Sequence, residues 1–139
     1  MRIQGQIYKD GKFYLVEIPA LNCMTQGKTK EEAITMAGDW VRNFEDKLDF
    51  EVYWLNKKEG AFALESEDSA RLLSLVMARQ RTRQGLSLSK VAKSLGVSSR
   101  NSVAVYERGK VEPTFKKFQD ILAAMGLNLE VNIVSKKHA

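Results

Sequence analysis

The period at which apolar residues recur changes once along this chain of 139 residues, and that change most constrains the fold open to it. In the first half, Ile3, Gly5 and Ile7 share one face of Ile3 to Tyr8, and Tyr14, Val16 and Ile18 share one face of Phe13 to Ile18. Phe50, Val52 and Trp54 alternate with Asp49, Glu51 and Tyr53 in the same way. A period of two is that of a half-buried strand. From Ser66 onward apolar residues recur at three and four, and Gly85, Gly96, Gly109 and Gly126 punctuate the pattern, as short helices require. The expected fold class is therefore α+β: a small antiparallel sheet packed on one helix, then an all-α unit. The boundaries are 1–65, 66–126 and 127–139.

Local signals refine this. Asp10-Gly11 suits a tight hairpin turn, Pro19 ends the second strand, and Asn22 to Gln26 forms a short third. Thr29 and Glu32 make a capping box that opens a helix, with Ala33, Met36, Ala37, Trp40, Val41, Phe44 and Leu48 as its buried stripe. Ala61 to Leu64 forms a last short strand. Ser66, followed by Glu67 and Asp68, starts the next helix, with Ala70, Leu73, Val76 and Met77 as its stripe. Ser87 caps a second helix of this unit, with Leu86 and Val91 as a hydrophobic staple. A third runs from about Arg100 to Glu107 and a fourth from Thr114 to Met125. Leu127, Leu129, Val131 and Ile133 then alternate with Asn128, Glu130 and Asn132 as a terminal strand, leaving Lys136 to Ala139 as a frayed tail. A lone apolar strand is a liability, so it is expected to pair with a second copy in a homodimer or to return to the sheet.

Charge divides the chain at the same place. Residues 1–65 carry 9 Lys/Arg against 11 Asp/Glu, whereas residues 66–139 carry 13 against 6. The halves are expected to meet different partners. No apolar run approaches the roughly 20 residues of a membrane helix, and Met1 to Gln6 lacks a signal-peptide apolar stretch, so no membrane partner and a cytoplasmic location are expected. The single Cys23 forms no internal disulfide, and with His138 it is too little for a zinc site. No phosphate-binding glycine loop, no Ser/His/Asp grouping and no converging carboxylate set stands out. The reading is of a non-enzyme without cofactor, metal or catalytic residues.

The run Gly85-Leu86-Ser87-Leu88-Ser89-Lys90-Val91-Ala92-Lys93-Ser94-Leu95-Gly96-Val97-Ser98, followed by Tyr106-Glu107-Arg108-Gly109-Lys110 and Pro113, resembles the phage-repressor (XRE) class of helix-turn-helix. The resemblance covers residues 68–126 and implies operator double-stranded DNA as partner, with one helix in the major groove. Counted back from Glu107-Arg108-Gly109, the base-reading positions are Arg100, Asn101 and Val105. The stretch from Gly96 to Gly109 is one residue longer than the usual pattern, and counting forward from Gly96 gives Ser99 and Arg100. Arg forks onto guanine, Asn onto adenine, and Val touches a thymine methyl. Ser87, Arg108, Lys110 and Lys90 are the candidate phosphate contacts. The resemblance also implies a structural ion pair between Arg81 and Glu107, tying the first helix of the unit to the third.

In the first half, Gly11 to Leu21 with Thr25-Gln26-Gly27-Lys28-Thr29 and Glu31-Glu32-Ala33 looks like the HicB-type antitoxin family. That resemblance covers residues 3–55. It implies a partial ribonuclease-H-like unit that binds and occludes a HicA-type messenger-cleaving ribonuclease toxin, in a protein that represses its own operon. An acidic module suits a basic, RNA-binding partner, and Asp10, Glu17, Glu31 and Glu51 are its candidate contacts. The alternative is a stand-alone helix-turn-helix regulator whose first half senses a ligand or binds another protein.

Overall fold

In the computed structural model, which describes residues 1–135, the alternation of the first half becomes one five-stranded sheet. Its strands are β1 (Arg2–Asp10), β2 (Phe13–Ile18), β3 (Cys23–Gly27), β4 (Glu51–Asn56) and β5 (Ala61–Glu65). All neighbours are antiparallel, in the order β3-β2-β1-β5-β4. Asp10 pairs with Phe13, so the hairpin loop is Gly11-Lys12, with Gly11 supplying a φ of 59°. A 3-10 turn, Pro19–Leu21, joins β2 to β3.

Helix α1 (Lys30–Phe44) follows β3 and covers β3 and β2. Thr29 Oγ1 accepts from the Glu32 amide at 3.0 Å, while the Glu32 carboxylate accepts from the amide of Lys28 at 2.7 Å. The reciprocal bond thus lands one residue earlier than a regular capping box. Ala33, Ala37 and Val41 are buried, with Gly38 beside them. The expected stripe is too long at its far end: α1 stops at Phe44, Phe44 and Met36 are exposed, and Leu48 reaches the core from the following loop. Trp40 and Phe44 lie at the margin, under the guanidinium of Arg79 at 5.0 and 4.2 Å from their ring centres. Cation–π contact lets these large rings sit half in water.

The second half contains α2 (Ser69–Arg83), α3 (Leu88–Ser94), α4 (Asn101–Glu107) and α5 (Phe115–Ala124). The cap of α2 is Asp68, whose carboxylate accepts from the Arg71 amide, and not Ser66. Ser66 is buried two residues earlier, where its hydroxyl donates to the Asp49 carbonyl and accepts from the Asp68 amide. The buried positions of α2 are Leu72, Ser74, Leu75, Val76, Met77 and Gln80; of the expected stripe Val76 and Met77 are among them, while Ala70 and Leu73 are only half-buried. The reason is that α2 packs on both sides: its apolar residues belong to one continuous core with Ile7, Ile18, Leu21, Phe62 and Leu64 of the sheet unit. Gln80 Nε2 donates to the carbonyls of Pro19 and Ala20, both at 2.9 Å, and Arg79 Nε donates to that of Leu21 at 3.3 Å. Arg71 reaches Glu45 at 3.5 Å from the same side.

The expected terminal strand is not formed within this chain. Residues 127–135 have no helix or strand; Leu127 and Leu129 pack against the core, while Val131, Ile133 and Val134 are exposed. Neither edge of the sheet takes the segment as a sixth strand. The tail at 136–139 lies outside the described residues.

Two outcomes test this core. A Cβ at Gly5 would stand 2.1 Å from the ring of the fully buried Phe62, so Gly5→Val is expected to cost about 3 kcal/mol in urea unfolding. Burial pushes the Cys23 thiol up to about 12, with the nearby Arg79 charge opposing, so it stays protonated well above neutrality. Cys23 should resist a thiol reagent in the native protein at pH 8 and react fully once urea unfolds it.

Candidate nucleic-acid interface

The second helix of the all-α unit is α3, whose cap Ser87 accepts from the Lys90 amide at 3.1 Å. Val91 and Ala92 turn inward and are buried, and Leu86 is half-buried against the same core. Gly96, at φ 75°, then ends the helix in a Schellman pattern. Its amide bonds Lys93 O at 3.0 Å, and that of Val97 bonds Ala92 O at 3.1 Å. A side chain at Gly96 would be strained in this left-handed conformation. The chain therefore leaves α3 sharply and enters α4 after a few exposed residues.

At that entry the two ways of counting the motif converge. The amides of Ser102 and Val103 bond Ser99 O and Arg100 O, both at 3.1 Å, and the Ser99 hydroxyl accepts from the Asn101 amide at 3.2 Å. A tight turn thus opens α4. Ser99, Arg100 and Asn101 all project from one exposed corner, with Arg100 at the cap and Asn101 at the first helical position. Val105 is half-buried further along, and Val103 and Ala104 anchor the helix inside.

Arg81 of α2 and Glu107 of α4 meet in a two-pronged ion pair. Arg81 Nε lies 2.7 Å from Glu107 Oε1, and Nη2 lies 3.0 Å from Oε2. The remaining nitrogen, Nη1, donates to Leu86 O at 2.8 Å in the turn ahead of α3. One guanidinium thereby fixes α2, the α3 entrance and the end of α4 together. The hydrogen bonds that Arg81 donates to the Glu107 carboxylate raise its pKa against the opposing effect of burial, so the cation persists at any ordinary pH. The two side chains are 21% and 11% exposed, so solvent screens this pair less than a surface bridge.

Around this frame Ser87, Lys90, Arg108 and Lys110 are all exposed, Arg108 at the end of α4 and Lys110 just beyond. A shallow groove between α3 and the α4 entry is lined by Ser89, Ala92, Lys93, Gly96, Val97, Ser98 and Arg100. Lys93 joins Lys90 in the positive charge expected of this face, whereas Ser98 was not among the expected site residues. The signal for Ser98 was its exposed position beside the turn, visible only once the turn was placed.

Residues 77–132 match the helix-turn-helix family model. The match supports a DNA-binding transcription regulator, with double-stranded DNA as the partner of this unit. It begins at Met77, inside α2, so the first helix of the helix-turn-helix is the helix that also packs on the sheet unit. No curated protein matches the chain.

The acidic candidates of the first half are not assembled into one place. Asp10, Glu17 and Glu51 lie on the sheet face turned away from α1, but at separate corners, and Glu17 accepts from Tyr8 Oη at 2.8 Å. Glu31 stands in the first turn of α1, where the ammonium of Lys57 at 2.6 Å holds its carboxyl below the usual range. The same open face carries the exposed apolar side chains Tyr8, Phe13, Met24 and Leu55, which the charge pattern did not single out. Among the described residues no three or more His, Cys, Asp or Glu side chains come together as a metal site, and no helix is long and apolar enough to cross a membrane.

Removing Glu107 leaves a half-buried guanidinium unpaired. Glu107→Ala is expected to lower stability by about 2 kcal/mol. Lys116→Ala, which breaks an exposed helical pair with Asp120, should change it by less than about 0.5 kcal/mol. Urea titration of both variants checks the contrast.

Proposed function

We propose that this chain is an antitoxin and autorepressor: its helix-turn-helix binds operator DNA, and its sheet unit binds and occludes a HicA-type ribonuclease. The single observation that carries the DNA half is the exposed corner of Ser99, Arg100 and Asn101, held by the Arg81–Glu107 pair and flanked by Lys90, Lys93, Arg108 and Lys110. Arg100 and Asn101 would read base edges in the major groove, with Ser99 beside them and Val105 toward a thymine methyl. Ser87, Lys90, Arg108 and Lys110 would bond phosphates and fix the register. Two copies would present two such helices to half-sites about one helical turn apart. Such a protein works beside the chromosome, in the cytoplasm.

The toxin half rests on the resemblance of residues 3–55 to HicB-type antitoxins, on the acidic balance of 1–65, and on the open sheet face. A ribonuclease must carry positive charge to hold RNA, so Asp10, Glu17 and Glu51 would steer it onto the apolar side chains of that face. Glu31, already paired with Lys57, contributes less. The sheet unit acts here by covering the partner's active site, without chemistry of its own.

Co-expression with the neighbouring reading frame tests the toxin half. Growth arrest by the neighbour alone, relieved by this chain and accompanied by a stable complex, supports it. Absence of both toxicity and complex leaves the second reading, a helix-turn-helix regulator whose open sheet face binds another protein.

Gel-shift titration of the chain on its own upstream region tests the DNA half. Arg100→Ala should weaken specific binding by roughly 5- to 150-fold, as loss of a forked base contact does. Lys110→Ala should weaken all sequences alike and reduce the salt slope by about one.

A further inference from the structure

We infer that residues 127–135 form the interface between two copies of this chain, each segment pairing antiparallel with the same segment of the other. Leu127, Leu129, Val131 and Ile133 alternate with Asn128, Glu130 and Asn132, the pattern of a strand with one apolar face. The chain satisfies only the first part of that face. Leu127 and Leu129 pack on the core, whereas Val131 is 61% exposed and Ile133 98%. The five-stranded sheet leaves the segment out, so its backbone groups have no strand partner at home. The segment emerges directly from the helix-turn-helix unit, whose family match runs on to Asn132.

Self-pairing about a two-fold axis allows only a few registers, and the side chains choose among them. Centring on Glu130 sets two carboxylates directly opposite each other, which is unfavourable. Centring on Leu129 leaves Ile133 opposite Met125, which is buried at the end of α5. Centring on Asn132 pairs Val131 with Ile133 but sets Leu129 opposite Ser135. Centring on Val131 places Val131 against itself, Leu129 against Ile133 on both sides, and Glu130 against the neutral Asn132. That register covers the most exposed side chain and opposes no like charges. The ribbon would join the two helix-turn-helix units, so the inference deepens the operator reading without depending on toxin binding.

The test is made on the full chain without DNA, by light scattering and by cross-linking. The wild type should have the mass of a dimer at micromolar concentration. Ile133→Lys, a change at an exposed position that leaves the monomer core intact, should raise the dissociation constant by about tenfold or more. Val131→Cys should oxidise to a covalent dimer, because the two thiols face each other across the axis. Asn128→Cys should not, and the wild type, with Cys23 buried, supplies the background. A monomeric wild type overturns the inference, as does a dimer unmoved by Ile133→Lys or one that cross-links equally well through residue 128. Specific DNA binding is scored separately, so a monomer that still shifts its operator overturns this interface alone.

Discussion

Three consecutive residues of α2 hold the molecule together, and each ties the helix to a different place. Arg79 lies over Trp40 and Phe44 and donates to Leu21 O. Gln80 donates to the carbonyls of Pro19 and Ala20, and Arg81 grips Glu107 and the turn before α3. The 3-10 turn that joins β2 to β3 exposes carbonyls with no strand partner, and buried carbonyls left unbonded are costly. Gln80 bonds that of Ala20 and adds a second donor to that of Pro19, which already accepts from the Asn22 amide that closes the turn. The sheet unit and the reading unit are therefore joined through one helix, and the position of each relative to the other follows from its rotation.

That arrangement explains which parts of the fold were legible in the sequence. Strands β1 and β2 could be read because one face is buried and the period of two survives along most of their length, whereas in β5 Phe62, Ala63 and Leu64 are all buried. The glycines at the ends of α2, α3, α4 and α5 marked real stops because each sits at positive φ just beyond its helix. The cap of α2 was misassigned because Ser66 and Asp68 compete for the same role. Ser66 is drawn away by the Asp49 carbonyl, a partner distant in sequence. Gln80 carried a usable signal: it falls four residues after Val76 and three after Met77, a polar side chain on an apolar stripe. Such a residue needs a buried partner, although its identity lay 60 residues away in the chain.

The candidate site was legible to the extent that its chemistry is local. Spacing from the glycines put Ser99, Arg100 and Asn101 near the start of a helix, and the structure sets the three side by side in the turn that opens α4. The sheet unit was less readable. Charge counts described its balance but not its geometry, and Asp10, Glu17 and Glu51 prove to share a face while Glu31 does not. Which face of a sheet remains open is decided by where the helices pack, and no short-range pattern encodes that. The segment after α5 has the alternation of a strand but no neighbour in its own chain to complete it. Periodicity describes what a segment can pair with, not whether a partner is at hand.

Only three residues separate β5 from α2, and they are occupied by the Ser66 and Asp68 hydrogen bonds. A flexible tether would let the sheet unit swing freely while the reading helix rested in its groove. Here it is a stiff arm. In the proposed operator complex, whatever the sheet unit carries would be held at a set angle around the duplex, and the angle between two such arms would follow from the spacing of the half-sites. One base pair added to that spacing would turn one arm about the DNA axis by about 35° relative to the other.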